Sequence, residues 1–286
     1  MSRLPIPPWI KTSLPKGQDF RSLQGHKKGL PTVCEEARCP NLGECWSSGT
    51  ATFMLLGESC TRACRFCSVE TLARPALPDP GEPTRIAQAA KDLRLKYLVL
   101  TSVDRDDLPD QGAQHLADCV QAAQTLNPEL KIELLAPDFR GDQEALEIVL
   151  KHPPLVLGHN LEVVERLTQK VRDPRCGYKQ SLKVLKTIKE LRPDQLTKSS
   201  LMLGFGETLA EVEVAMKDLR EAKVDFLTLG QYLQPSRQKL LVTEYIKPEI
   251  FDQLGQMGRE LGFLFVASGP MVRSSYKAFE YFLRAQ

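Results

Sequence analysis

Phe53-Met-Leu-Leu-Gly-Glu-Ser-Cys60-Thr-Arg-Ala-Cys64-Arg-Phe-Cys67 runs an apolar tetrad straight into a loop holding three cysteines within eight residues. Four apolar residues closed by a glycine predict a buried strand. The cysteines therefore sit at that strand's C-terminal end. Similar short runs follow at 97–100, 132–135, 155–157, 201–203, 226–229 and 263–266. Between them lie helical patterns: Ile86, Ala89, Ala90 and Leu93; Leu182, Leu185, Ile188 and Leu191; Val212, Ala215, Leu219 and Ala222. Pro248 followed by Glu249 predicts the first turn of another helix, carrying Leu254, Met257 and Leu261. Strand and helix alternating in this way imply parallel strands with right-handed crossovers, hence a doubly wound sheet or a full or partial (β/α) barrel. We favour the partial barrel, in which active sites gather at the C-terminal strand ends.

At 286 residues, with 42% hydrophobic and 26% charged residues, the composition is that of a globular chain with room for a real core. Residues 1–50 are rich in Pro, Gly and Cys and lack periodicity, so they read as an N-terminal extension to a barrel of 51–268, followed by a C-terminal segment of 269–286. The net charge of +2 names no partner. Within residues 1–31, Arg3, Lys11, Lys16, Arg21, Lys27 and Lys28 against the single acid Asp19 make a basic arm, suited to an acidic protein surface or simply to solvent. The aromatic interleaving of a nucleic-acid binder is missing, and prolines interrupt the first ten residues before an apolar leader can form. No run is long enough to span a bilayer. A cytoplasmic location is expected, where eight cysteines serve as metal ligands more readily than as disulfides.

A four-iron cluster held wholly by protein needs four ligands, so a loop offering Cys60, Cys64 and Cys67 alone leaves one iron open for a cofactor. Zinc is the competing metal. Closed zinc sites, however, usually pair two Cys-x2-Cys knuckles, and no second knuckle is present. A second trio, Cys34-x4-Cys39-x5-Cys45, lies in the extension and again lacks an adjacent fourth ligand. Six of the eight cysteines thus fall into two similar sets. Cys119 sits in an apolar helical pattern with Leu116, Val120 and Ala123, and Cys176 in a loop; both read as bystanders.

With Cys60-x3-Cys64-x2-Cys67 the chain resembles the radical S-adenosylmethionine superfamily, and with Cys34-x4-Cys39-x5-Cys45 it is similar to the lipoyl synthase family within it. The resemblance extends through Glu133-Leu-Leu-Ala-Pro-Asp-Phe-Arg-Gly141, His159-Asn160-Leu-Glu162, Tyr178-Lys-Gln-Ser-Leu182, Lys198-Ser199, Gly204-Phe-Gly-Glu-Thr208, Thr228-Leu-Gly-Gln-Tyr-Leu-Gln-Pro-Ser236 and Gly269-Pro-Met-Val-Arg-Ser-Ser-Tyr-Lys-Ala278. Departures are confined to Leu157-Gly158 before His159 and to the Arg172-Asp-Pro-Arg-Cys-Gly177 loop, which bear on substrate contacts.

The resemblance implies a partial (β/α)6-type barrel with its C-terminal segment closing on an auxiliary cluster. It also implies two [4Fe-4S] clusters, S-adenosylmethionine, and insertion of sulfur at C6 and C8 of an octanoyl group on a lysine of a lipoyl carrier protein or domain. The auxiliary cluster would be the sulfur source, and flavodoxin or ferredoxin the type of electron donor. Neither carbon bears an acidic proton, so acid–base groups have nothing to act on and a radical-forming cofactor is required. Carried over residue by residue, Phe66 takes the aromatic position near adenine, with simple loop packing as the other reading. Thr101, Ser102 and Asp104 follow the second strand and would hold the methionine amine and ribose; capping of a helix starting near Asp110 is their alternative.

Gly204-Phe-Gly-Glu207 would let the backbone approach the cofactor, or be an ordinary turn with Glu207 in a first helical turn. Asn160 and Lys198 are candidate substrate-side groups, against an N-cap before Leu161 and a surface lysine. The auxiliary cluster's fourth ligand is expected from Arg273-Ser274-Ser275-Tyr276. We choose Ser275, although nothing physical in the sequence separates it from Ser274.

Within the superfamily the alternative is a biotin-synthase-like or methylthio-transferring enzyme. Outside it stand a ferredoxin-like electron carrier, which would use fully ligated clusters, and a zinc scaffold.

Overall fold

The computed structural model describes residues 3–11 and 50–275, and all seven apolar runs become strands of one sheet. In chain order these are β1 (Thr50–Leu55), β4 (Tyr97–Ser102), β5 (Lys131–Leu135), β6 (Val156–Gly158), β7 (Leu196–Leu203), β8 (Phe226–Gln231) and β9 (Phe265–Gly269). The two-residue strands β2 (Ser59–Cys60) and β3 (Glu70–Thr71) pair with each other inside the cysteine loop. Every main pairing is parallel, and each strand joins beside its predecessor in the order β1-β4-β5-β6-β7-β8-β9. Winding that never reverses removes the doubly wound alternative.

The crossovers are α1 (Glu82–Asp92), α2 (Ala113–Leu126), α3 (Gln143–Val149), the pair α4 (Glu165–Val171) and α5 (Tyr178–Leu191), α6 (Leu209–Glu221) and α7 (Pro248–Glu260). Six β/α units closed by one more strand make the (β/α)6 form, and β1 and β9 do not pair with each other among the described residues. The sheet nevertheless curves far round. Met54 of β1 and Ser274 beyond β9 line the same cavity.

Strand alternation divides the core. Leu98, Leu100, Ile132, Leu134 and Leu157 pack against α1, α2 and α5, while Leu201, Leu203, Leu227 and Leu229 pack with Val212, Met216 and Phe251. Facing the other way, Tyr97 and Val99 join Leu155 and Leu196 in a separate small cluster. That face is also polar: the Tyr97 hydroxyl donates to Glu133 at 3.0 Å, and Lys198 Nζ donates to the other Glu133 oxygen at 2.7 Å. Lys198 thus lies inside β7, 8% exposed at its side chain, neither on the surface nor at a strand end.

Helix starts follow local chemistry. Pro248 opens α7 as its sequence predicts. Thr208 and Glu211 form a reciprocal capping box at α6. Glu207 therefore precedes that helix rather than joining its first turn. At α2, Asp110 accepts from the N–H groups of Gly112 and Gln114, leaving Asp104 out of the capping. Gly230 of β8 decides where the C-terminal segment runs. A Cβ there would stand 2.1 Å from the Val272 carbonyl oxygen, so only glycine lets that segment close over the strand. Among the described residues no helix is long and apolar enough to cross a membrane.

Candidate active site

The cysteine loop is stitched to the segment after β4 and to the C-terminal end of α4. Thr61 N–H donates to the Asp104 carbonyl at 2.9 Å, Arg65 N–H to the Val171 carbonyl at 2.9 Å, and Ala63 N–H to Asp173 at 2.8 Å. Arg62 does most of the tying. Its guanidinium, 1% exposed, reaches Asp138 at 2.7 Å, Asp106 at 2.8 Å and Asp104 at 3.3 Å. Asp138 feels burial pushing its carboxyl up, but Arg62 prevails and holds it at about 2. Arg175 continues the network, bridging Asp173, Asp106 and the Thr61 carbonyl. Its hydrogen bond keeps Asp173 below the ordinary carboxylate range.

This stitching places Cys60, Cys64 and Cys67 on one cavity of about 260 Å³ at the C-terminal strand ends. Phe66 lines it, as do Thr101, Ser102 and Asp104 after β4, and Asn160 after β6. Ser274 and Ser275, arriving beyond β9, line it too. Nearly every described candidate is thereby brought together. Two are not among the lining residues: Glu207, whose oxygens accept from Gly204 N–H at 2.5 Å and Phe205 N–H at 3.0 Å, and Lys198, paired with Glu133. Cys34, Cys39 and Cys45 lie outside the described residues.

The donor set suits an iron cluster. Cys60 Sγ accepts N–H bonds from Arg62 and Asp104, each at 3.3 Å, and Cys64 Sγ accepts one from Asp173 at 3.3 Å. Backbone donors aimed at sulfur stabilise cluster-bound thiolates, and the loop itself offers three cysteines. In the free loop the thiols hold their protons. Burial, then Asp104, pushes Cys60 up to about 12; its hydrogen bond with Cys176, then burial, raises Cys64; burial raises Cys67. Metal loading must therefore release protons.

Around the trio stand groups of opposite kinds. Burial lifts Asp104 to about 6 and raises Glu162 above its usual value. Glu162, held in left-handed backbone with φ 71°, accepts from Asn160 Nδ2 at 3.1 Å. Arg172 lines the same space with its buried Nε unpartnered. His159 is not an N-cap, since α4 begins at Glu165 with Val164 before it. Instead His159 is buried between the Ala136 carbonyl and the Ser181 hydroxyl, and burial lowers it to about 4.

Glu162, Arg62, Asp138 and Arg172 had no assigned role in the sequence. Arginines interleaved with the cysteines were the available signal. Cys176, read as a bystander in a loop, lies between α4 and α5 and lines the same cavity. Cys119 is fully buried on α2, as its helical pattern predicts.

A family model for the radical SAM superfamily matches residues 54–219, and one for the N-terminal domain of lipoyl synthase matches residues 1–39. A protein named lipoyl synthase from Halorhodospira halophila is 55% identical, covering 95% of this chain and 82% of its own length. The chain belongs to the lipoyl synthase family. It is accordingly an enzyme of the sulfur-inserting radical SAM type. Proteins named mitochondrial lipoyl synthase from Aedes aegypti and Homo sapiens are each 53% identical, covering 98% and 99% of this chain and 73% and 78% of theirs. Among solved structures, methylornithine synthase has a TM-score of 0.60 at 12% identity, covering 92% of this chain and 83% of its own. Streptococcus suis SuiB bound to S-adenosylmethionine has 0.55 at 12%, covering 77% and 50%. At such identities these share the fold with this lipoyl synthase family member. For the family, S-adenosylmethionine and a [4Fe-4S] cluster are the cofactors implied.

Proposed function

We propose that the chain inserts two sulfur atoms at C6 and C8 of an octanoyl group carried on a lysine of a lipoyl carrier protein or domain, drawing both from a second [4Fe-4S] cluster. Cys60, Cys64 and Cys67 would hold the first cluster with one iron open to the cavity, and Cys34, Cys39 and Cys45 with Ser275 would hold the second. Together with S-adenosylmethionine, the first cluster supplies hydrogen abstraction from unactivated carbon, which no acid or base in the cavity provides. The observation that carries this reading is the arrival of Ser274 and Ser275 in the cavity of the Cys60 trio.

The protein's part is to bind, orient and exclude water. Phe66 offers a flat apolar face to a base, while Thr101, Ser102 and Asp104 offer oxygens to an amine and hydroxyls. Asn160 and Glu162 add a donor and acceptors to the lining. The Arg62 clamp holds the cysteine loop in place so that these groups keep their spacing. Leu135, Met54 and Val103 supply the apolar lining an alkyl chain needs.

In this reading residues 1–50 carry the auxiliary cysteines, 51–268 the barrel and 269–286 the serine ligand. An electron donor of the flavodoxin or ferredoxin type serves the first cluster. The cytoplasm suits a chain whose six ligand thiols must stay reduced. Anaerobic reconstitution, followed by mass measurement of an octanoyl-lysine peptide after adding S-adenosylmethionine and dithionite, tests it. A product heavier by two sulfur atoms supports the reading. Cleaved S-adenosylmethionine with an unmodified peptide, or a methylthio product, overturns it.

A further inference from the structure

Outside the cavity, α1 and α2 bring together a second group of metal-ligating side chains. Glu82 is the first residue of α1, while His115 and Cys119 stand four apart on α2 and so share one face of it. Their ligand atoms, a carboxylate oxygen, an imidazole nitrogen and a sulfur, all lie within 4.8 Å of one another. His115 Nε2 is 2.7 Å from Glu82 Oε2. None of the three is among the residues lining the cavity of the Cys60 trio.

The surroundings suit an ion. Glu82 and Cys119 are buried, whereas His115 keeps 13% of its side chain exposed and leaves a way in from solvent. A dication bound by thiolate and carboxylate carries no net charge into the apolar core that Cys119 shares with Ile86 and Leu116. Thiolate and imidazole select a borderline transition ion over magnesium or calcium. Zinc imposes no geometry of its own and accepts one sulfur, one nitrogen and one oxygen, with water in the fourth place.

We propose that Glu82, His115 and Cys119 form a zinc site that fastens α1 to α2 where the chain leaves β1 for the cysteine loop. Glu82 Oε2 also accepts from Leu56 N–H at 3.0 Å. Leu56, in left-handed backbone with φ 68°, follows β1 and hands the chain to Gly57 and the cysteine loop. An ion held by Glu82 therefore secures the root of that loop as well as the two helices. Two ligands on one zinc stand about 3.3–3.6 Å apart, so the imidazole swings back slightly from Glu82 and no pair has to close by more than about 1.5 Å. As the zinc bonds form, Cys119 gives up its thiol proton and His115 presents Nε2 without one, the protons passing to solvent. No electron moves, and nothing in this site depends on sulfur insertion.

Zinc absorption separates this site from the iron clusters. Full-length holoenzyme, with iron and sulfide in place, is incubated anaerobically with equimolar zinc chloride and desalted against a weak chelator. Zinc and iron are counted by mass spectrometry, and the zinc K-edge X-ray absorption spectrum, to which cluster iron does not contribute, is recorded. About one zinc per chain is expected, with a single sulfur near 2.3 Å and nitrogen or oxygen near 2.0–2.2 Å. The sulfur count locates the ion, because a cysteine trio would supply three. No retained zinc, or zinc surrounded by two or more sulfurs, overturns the proposal. Cys119→Ala and His115→Gln, the second keeping a donor for Glu82, are each expected to weaken zinc binding about tenfold or more in competition with the chelator. Undiminished binding in either overturns it. Unchanged iron and sulfide per chain show that the variants are folded, and the unsubstituted chain's spectrum decides should one of them fail to fold. Product formed from an octanoyl-lysine peptide before zinc is added reports on sulfur insertion alone, so the two readings fail separately.

Discussion

Arg62 Nη1 donates to Asp138 Oδ2 at 2.7 Å with both side chains 1% exposed, so an ion pair closed to water clamps the cysteine loop to the C-terminal end of β5. Removing one partner of such a pair strands a buried charge. Asp106 still grips the guanidinium, which softens the loss, so Asp138→Ala is expected to cost about 3 kcal/mol, with Asp138→Asn milder because it keeps an acceptor. Urea unfolding checks the stability, and iron content per chain checks whether the loop still holds its cluster.

Glu133 and Lys198 form a second closed pair, deep in the barrel, with Tyr97 on the remaining carboxylate oxygen. Lys198→Met is expected to destabilise by about 3–5 kcal/mol, because Glu133 would be left charged without a counter-ion. Adding Glu133→Gln removes that charge and is expected to recover most of the loss. A thermal or urea cycle over the two single variants and the double variant measures the coupling.

His159 gives a pH dependence whose sign is fixed. Burial lowers it from 6.5 to about 4 in the folded chain, so the unfolded chain binds the extra proton between those values. Stability is therefore present above 6.5 and drains away as pH falls toward 4, by roughly 2 kcal/mol between pH 7 and pH 5. His159→Gln, which keeps a donor and an acceptor between Ala136 and Ser181, is expected to lose that part of the slope. Comparing urea midpoints of the two chains at pH 7 and pH 5 reads the difference.

Ser274 and Ser275 both line the cavity, and the choice of Ser275 as iron ligand is open to direct trial. A serine oxygen is a harder ligand than thiolate and suits a cluster that must surrender iron and sulfide. Ser275→Cys is expected to slow sulfur donation in a single turnover, while Ser274→Ala leaves the yield near that of the unsubstituted chain. Normal kinetics in Ser275→Cys would remove lability through oxygen ligation.

The strands could be read from the chain because their outward faces are continuous apolar runs, and all seven appear. What could not be read was the inward face. Polar Thr197-Lys198-Ser199-Ser200 fell outside the apolar run at 201–203, with Lys198 read as a substrate-side group or a surface lysine, yet they extend β7 to Leu196–Leu203 around a buried ion pair. The cysteine trio was legible because its ligands fall within eight residues of one another in the chain. Asp138, Glu162, Arg172 and Cys176 were not, since Asp138 follows β5, Glu162 follows β6, and Arg172 and Cys176 stand between α4 and α5, so only the folded chain brings them to the cavity of Cys60 and Cys64. Glu207 shows the opposite limit: a motif that resembled a cofactor contact uses its carboxylate to tie down the turn at Gly204.

Iron and acid-labile sulfide per chain, measured on anaerobically purified protein beside a variant in which Cys60, Cys64 and Cys67 are all alanine, tests the two-cluster arrangement most directly. Two four-iron cubanes require roughly eight irons in the unsubstituted chain and about four in the variant, which would keep the cluster of Cys34, Cys39 and Cys45. A chain that begins with only about four irons, or a variant that keeps all of them, contradicts the arrangement.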